Sequence, residues 1–147
     1  MLQRHLKGTD AYKAWKMIST SQGSHIKRAD FFRYCIIYYY GGIYVDLDVG
    51  IHHTMRMLLQ AGLTILVWEP EIAMEEFTQW KKGDFDRTLM LSGIVASGMR
   101  KSDFLGYLIN WISENYVSHR HGNGTSVLDS TGPKACAEAY RYCSCSA

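Results

Sequence analysis

Two aspartates, one residue apart, follow a short apolar run in the first third of the chain. The run GGIYVDLDVG covers residues 41–50 and places Asp46 and Asp48 directly after Val45. Two carboxylates this close repel each other and are costly to bury without a positive partner. Mg²⁺ and Mn²⁺ are bound by a few carboxylates together with phosphate oxygens and water. The pair therefore indicates a metal site that serves a phosphorylated ligand, although the spacing alone also fits two solvated loop acids.

The helix predicted just before the acids supplies a second charged pair. Residues 26–40 contain no glycine or proline and have a wide apolar face, and Gly41 and Gly42 end the predicted helix. Asp30 and Arg33 are three residues apart and so share one face of it. Because helix, glycines and strand are consecutive, we expect that face to lie near the two aspartates. Two further basic residues of this helix are expected to be solvated: Lys27 and Arg28.

The rest of the chain alternates helical patterns with short apolar runs. Strands are predicted at Ile43–Asp46, Leu63–Trp68 and Leu89–Ala96, with a strand remnant at Val127–Leu128. Helices are predicted at Asp10–Ser19, Ile26–Tyr40, Thr54–Gln60 and Asp103–Tyr116, and from Pro133 onward, with an amphipathic segment within Glu71–Asp84. This alternation predicts an α/β domain with a mainly parallel sheet flanked by helices, whose ligands bind at the carboxyl ends of strands.

Length and charge narrow the possible classes of protein. The chain has 147 residues, which suits a single domain over residues 1–147, and a net charge of only +2. That charge gives no reason to expect a nucleic-acid partner. We expect neither a signal peptide nor a membrane-spanning segment, because no apolar run has the required length.

The stretch IKRADFFRYCIIYYYGGIYVDLDV, residues 26–49, resembles the central motif of the DxD-containing sugar transferases of glycosyltransferase family 32. This family includes initiating α-1,6-mannosyltransferases of the yeast Golgi and inositol-phosphoceramide mannosyltransferases, and large clostridial toxins share the motif. SGIVASGMRKSDF and DSTGPKACAEAY resemble later segments of the family. The first of these begins with Ser92, where the family usually has asparagine. The resemblance covers roughly residues 26–142.

The resemblance implies a GT-A-like fold and a metal-dependent transfer of mannose, glucose or galactose to a glycan, lipid or protein acceptor, with retention of configuration. The donors it implies are GDP-mannose, UDP-glucose and UDP-galactose, with Mn²⁺ or Mg²⁺ as the cofactor. It assigns the metal to Asp48 and Asp46, and catalysis to these two acids and Arg33. It assigns donor binding to Asp30, Arg33, Tyr44, Asp46, Ser92, Thr131, Gly132 and Pro133.

Family members usually carry strands before this motif and further residues after the Thr-Gly-Pro segment. We therefore expect a domain that is incomplete at both ends and lacks the first strands of the sheet. An open sheet edge favours a partner chain or self-association. We expect Golgi or other membrane association if the parent protein carries an anchor, and a cytoplasmic location otherwise.

Two other functions remain open on the sequence. One is a catalytically degenerate or truncated transferase domain that binds a nucleotide sugar or a partner protein without turnover. The other is a magnesium-dependent phosphatase with an aspartate nucleophile, which also places Asp-x-Asp after an apolar strand. Gly50 stands where the phosphatase pattern has Thr or Val, so this third function is less well supported.

Overall fold

The structure is a computed structural model that describes residues 2–50, 53–68, 90–118 and 125–145. Its helices and strands, in chain order, are α1 (Leu2–Leu6), α2 (Asp10–Thr20), α3 (Ser24–Tyr40), β1 (Gly42–Val45), α4 (Thr54–Gln60), β2 (Thr64–Trp68), β3 (Met90–Ser97), α5 (Asp103–Val117), α6 (Val127–Ser130) and α7 (Pro133–Cys145). The predicted segment within Glu71–Asp84 lies outside the described residues.

Helix α3 is the central element, and it leads directly into the strand that ends at the acids. It starts after Gly23, two residues earlier than predicted, and ends at Gly41 as predicted. Gly41 has a φ of 70°, which glycine adopts without steric cost, and its N–H donates to the Ile37 carbonyl at 2.8 Å. This positive-φ conformation of Gly41 lets the chain turn from α3 straight into β1.

The core lies between α3 and the helices around it. Phe31 and Tyr34 of α3 are fully buried, as are Ile18 of α2 and Leu108 of α5. The buried face of α7 adds small residues, including Ala137. Burying this apolar surface is the main stabilising contribution to the fold, and it fixes α3 relative to the segment that precedes α7.

The described strands form a three-stranded sheet in the order β1-β3-β2. Strand β3 pairs antiparallel with both neighbours, with Gly42 and Thr64 each opposite Ser97. The prediction of a mainly parallel sheet is therefore wrong for these strands. A continuous apolar run indicates burial on both faces but carries no information about strand direction.

One local prediction is also corrected. Val127–Ser130 is a short helix rather than a strand remnant, and the Ser126 hydroxyl caps it by accepting from the Asp129 N–H. The helix predicted at Asp103–Tyr116 is present as α5. The Ser102 hydroxyl before it lies 2.6 Å from the Thr64 hydroxyl and makes no capping hydrogen bond.

None of the helices in the described part of the chain is both long and apolar enough to cross a membrane.

Candidate functional site

The two acids lie at the carboxyl end of β1, where the chain leaves the sheet. Asp46 donates its N–H to the Gly93 carbonyl of β3 at 2.9 Å, which extends the strand pairing by one residue. The Val49 N–H donates back to the Asp46 carbonyl at 3.1 Å and closes a turn. Asp48 is exposed in that turn, which lies beyond the end of β1 at Val45, so the two-residue alternation of the strand does not extend to it.

Arg33 lies between two carboxylates. Its guanidinium is 3.0 Å from Asp30 Oδ1 and 3.6 Å from Asp46 Oδ2. The Arg33 and Asp30 side chains are only 7% and 5% exposed. They are therefore a buried pair rather than a surface ion pair of little energetic value. The predicted face of α3 thus meets the end of β1.

Tyr44 fixes the orientation of this group from the strand side. Its hydroxyl donates to Asp46 Oδ1 at 2.7 Å, and the Arg33 guanidinium stacks 4.5 Å from the centre of its ring. Burial and the bond to Asp46 raise the pKa of Tyr44, so it remains a hydrogen-bond donor at neutral pH. Each oxygen of Asp46 therefore has a protein partner.

The segment before α7 forms the opposite wall of the site. Thr131 is fully buried, and its hydroxyl donates to Asp30 Oδ2 at 3.1 Å. The hydroxyl of Tyr34 donates to the Thr131 carbonyl at 2.9 Å and holds this residue in place. Gly132 and Pro133 follow, with Pro133 as the first residue of α7. Ser92 lies in β3, but its side chain is outside the described residues.

Burial is the main influence on the pKa of the Asp30 carboxyl group. It raises the pKa of this carboxyl from 3.8 to about 6, although the Arg33 charge and the Thr131 hydrogen bond act in the opposite direction. The Asp46 charge adds slightly to the increase. At neutral pH Asp30 is therefore largely ionised and can accept hydrogen bonds, while a modest fall in pH protonates it.

Sequence reasoning missed Gly93, which leaves room for the Asp46 carboxylate. A Cβ added at Gly93 would be 2.9 Å from Asp46 Oδ2 and 3.7 Å from Val49 Cγ2. The first distance is too short for any real Cβ, so a side chain here would displace the carboxylate. The only sequence signal was a glycine inside an apolar strand, which often marks a close approach to a backbone or ligand.

Sequence reasoning also misplaced Lys27, which was expected to be solvated. Its side chain is fully buried and donates to the Thr125 carbonyl at 2.6 Å. Burial lowers the pKa of this amine. Lys27, Asp30 and Tyr34 thus contact residues 125–131 from one stripe of α3.

The charges of the site favour a cation. Asp30, Arg33, Asp46 and Asp48 together carry a net charge of −2 when Asp30 is ionised, so an isolated diphosphate would be repelled. Asp46 is already held by its neighbours, whereas Asp48 is exposed beside it. No group of three or more His, Cys, Asp or Glu suited to a metal occurs in the described residues. The donor set fits a divalent ion whose remaining ligands are phosphate oxygens and water.

Comparison with known proteins identifies what this arrangement is similar to. Residues 3–64, which include α3, β1 and both acids, match the family model described as a glycosyltransferase sugar-binding region containing a DXD motif. A stretch of 35 residues is 60% identical to inositol phosphoceramide mannosyltransferase 3 of Schizosaccharomyces pombe. This stretch makes up 24% of the present chain and 10% of the yeast protein. The predicted resemblance to the DxD-containing glycosyltransferases is confirmed.

The fold is similar to that of a solved glycosyltransferase. The structure matches the PaToxG glycosyltransferase with a TM-score of 0.58 and 14% sequence identity, over 95% of this chain and 42% of that one. The predicted GT-A-like α/β fold is confirmed by this match. The chain spans less than half the length of the structure it matches, and its match to the yeast relative takes in a tenth of that protein.

Proposed function

We propose that this chain forms the donor-binding part of a metal-dependent glycosyltransferase that moves a hexose from a nucleotide diphosphate donor. The observation that carries the proposal is the buried Asp30–Arg33–Asp46 group at the end of β1. It lies next to the exposed Asp48, within a region that matches sugar-binding transferases. The same similarity favours a transferase over a phosphatase.

The proposed roles follow from where each side chain lies. Asp48 would hold a divalent cation, Mn²⁺ or Mg²⁺, with Asp46 beside it. When bound, the ion neutralises charge that develops on the departing diphosphate. Asp30 and Arg33 would hold donor hydroxyls, and the Arg33 guanidinium would also stabilise the developing negative charge.

The other predicted donor-binding residues support these groups. Tyr44 orients the Asp46 carboxylate, and Thr131 holds Asp30 from the opposite side. Gly132 and Pro133 continue that wall into the first turn of α7. We retain Ser92 as a proposed donor contact because β3 runs beside the acids.

GDP-mannose is the first donor to test, because the relative from Schizosaccharomyces pombe is named as a mannosyltransferase. UDP-glucose and UDP-galactose fit the same site chemistry. We propose a glycan, lipid or protein acceptor. We also propose that the anomeric configuration is retained. The acceptor would attack the anomeric carbon from the same face as the departing diphosphate, since none of the site carboxylates described above is an evident covalent nucleophile. The configuration of the product, determined by NMR, tests this mechanism.

A domain that binds a nucleotide sugar without turnover is the second candidate. The observation that favours it is that Asp46 accepts from Tyr44 through one oxygen and faces Arg33 through the other. A carboxylate so engaged must exchange a protein partner before it can ligate a cation directly. Measured turnover separates the two candidates.

The test is donor hydrolysis by the purified chain with Mn²⁺ and the three nucleotide sugars. We expect release of GDP or UDP that disappears with a chelator and in Asp48→Asn. Asp10→Asn is the matched control, because Asp10 is also an exposed aspartate but lies on α2 and pairs with Lys13. Metal-dependent donor binding without release would support the second candidate. Absence of both binding and release in the folded chain would refute both.

A further inference from the structure

A second cleft lies at the opposite end of β1 from the acids. It has a volume of about 330 Å³ and lies between the end of α3, the start of β1, helix α4 and the turn after β3. The described residues that line it are Tyr40, Gly41, Gly42, Arg56, Leu59, Gln60, Ser97, Gly98 and Arg100. The rise of an extended strand places Gly42 about 13 Å from Asp46. The cleft is therefore separate from the acidic site.

Among the described residues that line this cleft, two arginines carry the formal charge. Arg56 projects from α4 and Arg100 from the turn after β3, and none of the other described lining residues is acidic. Within the described part of the chain neither arginine has an ion-pair partner, whereas Arg33 is held between two carboxylates. Two guanidinium groups that share a cleft repel each other until an anion neutralises them.

Closely packed backbone forms the floor of the cleft. A Cβ added at Gly98 would be 1.8 Å from the Leu59 carbonyl oxygen, and one added at Gly41 would be 3.3 Å from the Ser97 carbonyl oxygen. These glycines let three segments of main chain meet without side chains between them. The main chain of the floor is therefore closely packed, and Arg56 on α4 and Arg100 in the turn after β3 extend beside it.

We infer that this cleft binds the phosphate group of a small phosphorylated molecule, independently of the metal and of the acidic site. Guanidinium groups bind phosphate through paired, charge-assisted hydrogen bonds, and two of them match the charge of a phosphate monoester or a diphosphate. The Gln60 side chain adds a neutral hydrogen-bonding group to the lining. The volume is in the range of small-ligand sites, so the space holds more than a single phosphate ion.

Pyrophosphate is the probe, titrated into the ¹⁵N-labelled chain with a chelator present and no divalent metal. We expect saturable shifts of the Gly41, Gly42 and Gly98 amide resonances. In Arg56→Gln/Arg100→Gln the dissociation constant should rise about 100-fold, because each of the two lost charge-assisted bonds is worth about the free energy of a tenfold change. Both arginines are exposed, so the variant should stay folded, which circular dichroism verifies.

The matched control is Lys16→Gln/Arg28→Gln, which removes the same charge from exposed residues elsewhere. Along α3, Arg28 is about 18 Å from Tyr40. The control should bind pyrophosphate within about twofold of the unchanged chain, since only remote charge is removed. Equal weakening in both double variants, or shifts confined to the residues around Asp46, would overturn the inference. Since no metal is present, this result is independent of whether the transferase proposal holds.

Discussion

A methyl group added at Gly93 should disturb the acidic site while leaving the fold intact. In Gly93→Ala the new Cβ would be 2.9 Å from Asp46 Oδ2, whereas ordinary contacts of a Cβ begin at 3.4 Å. The atom it meets is the end of a side chain, so the carboxylate can move away without displacing backbone. That movement changes the 3.6 Å contact with Arg33 and the 2.7 Å bond from Tyr44, which together orient Asp46.

The expected magnitudes differ for stability and for turnover. The Asp46 side chain is 39% exposed, and loosening an ion pair of this kind costs about 1 kcal/mol or less of unfolding free energy. A shift of about 1 Å in a catalytic group can lower turnover about 100-fold. The shift forced here is smaller, so we expect about a tenfold loss of metal-dependent donor hydrolysis.

Steady-state hydrolysis and urea denaturation of the same preparations measure both effects. Gly50→Ala is the control, because a Cβ at Gly50 has no atom of the described residues within 4 Å although it lies just beyond the same turn. It should behave as the unchanged chain in both assays. Hydrolysis by Gly93→Ala at the rate of Gly50→Ala would refute the argument that Gly93 makes room for Asp46. A stability loss well above 1 kcal/mol would show that the methyl group displaces backbone instead.

Two further predictions concern Asp30, whose pKa is raised to about 6 by burial. Between pH 4 and 6 the folded chain holds a proton that the unfolded chain, with its pKa near 3.8, has released, so stability falls as pH rises through this window. The unfolding free energy of the unchanged chain, relative to Asp30→Asn, should therefore fall by about 2 kcal/mol from pH 4 to pH 7; a difference that is constant with pH would contradict this. Thr131→Val removes the donor to Asp30 Oδ2 and should cost about 1–3 kcal/mol at pH 7 but less at pH 4.5, where Asp30 is protonated. Equal costs at both pH values in urea titrations would contradict that reasoning.

Contacts between consecutive elements could be predicted from the sequence. Asp30 and Arg33 share a helical face because they are three residues apart, and α3 leads through Gly41 directly into β1. So short a connection allows few arrangements of α3 relative to β1. Local geometry was therefore enough to predict that the face of α3 with Asp30 and Arg33 lies near Asp46. The same argument located the acids at the carboxyl end of the strand.

Contacts between distant segments could not be predicted in this way. Lys27 is buried because the segment with Thr125, 98 residues later in the chain, packs over it. Nothing in the local sequence of α3 indicates that this segment lies there. The role of Gly93 depends on the register between β1 and β3, which an apolar run does not specify. The prediction of parallel strands was wrong for the same reason, because an apolar sequence indicates that a strand is buried but not in which direction it runs.

The energetics of Asp30 bear on what kind of site this is. A buried carboxyl whose pKa is raised destabilises the folded chain at neutral pH, and the Arg33 charge and the Thr131 hydroxyl only partly offset that cost. An asparagine of nearly the same shape would avoid the cost of burying a charge. Perturbed ionisable groups of this kind concentrate at functional sites, where the charge itself is used. If Asp30 accepts hydrogen bonds from a donor sugar, donor binding should strengthen as pH rises through about 6. If Asp30 were only structural, and neither Asp30 nor Arg33 contacted the donor, donor binding would stay constant over that range, and this result would refute the proposed donor contacts.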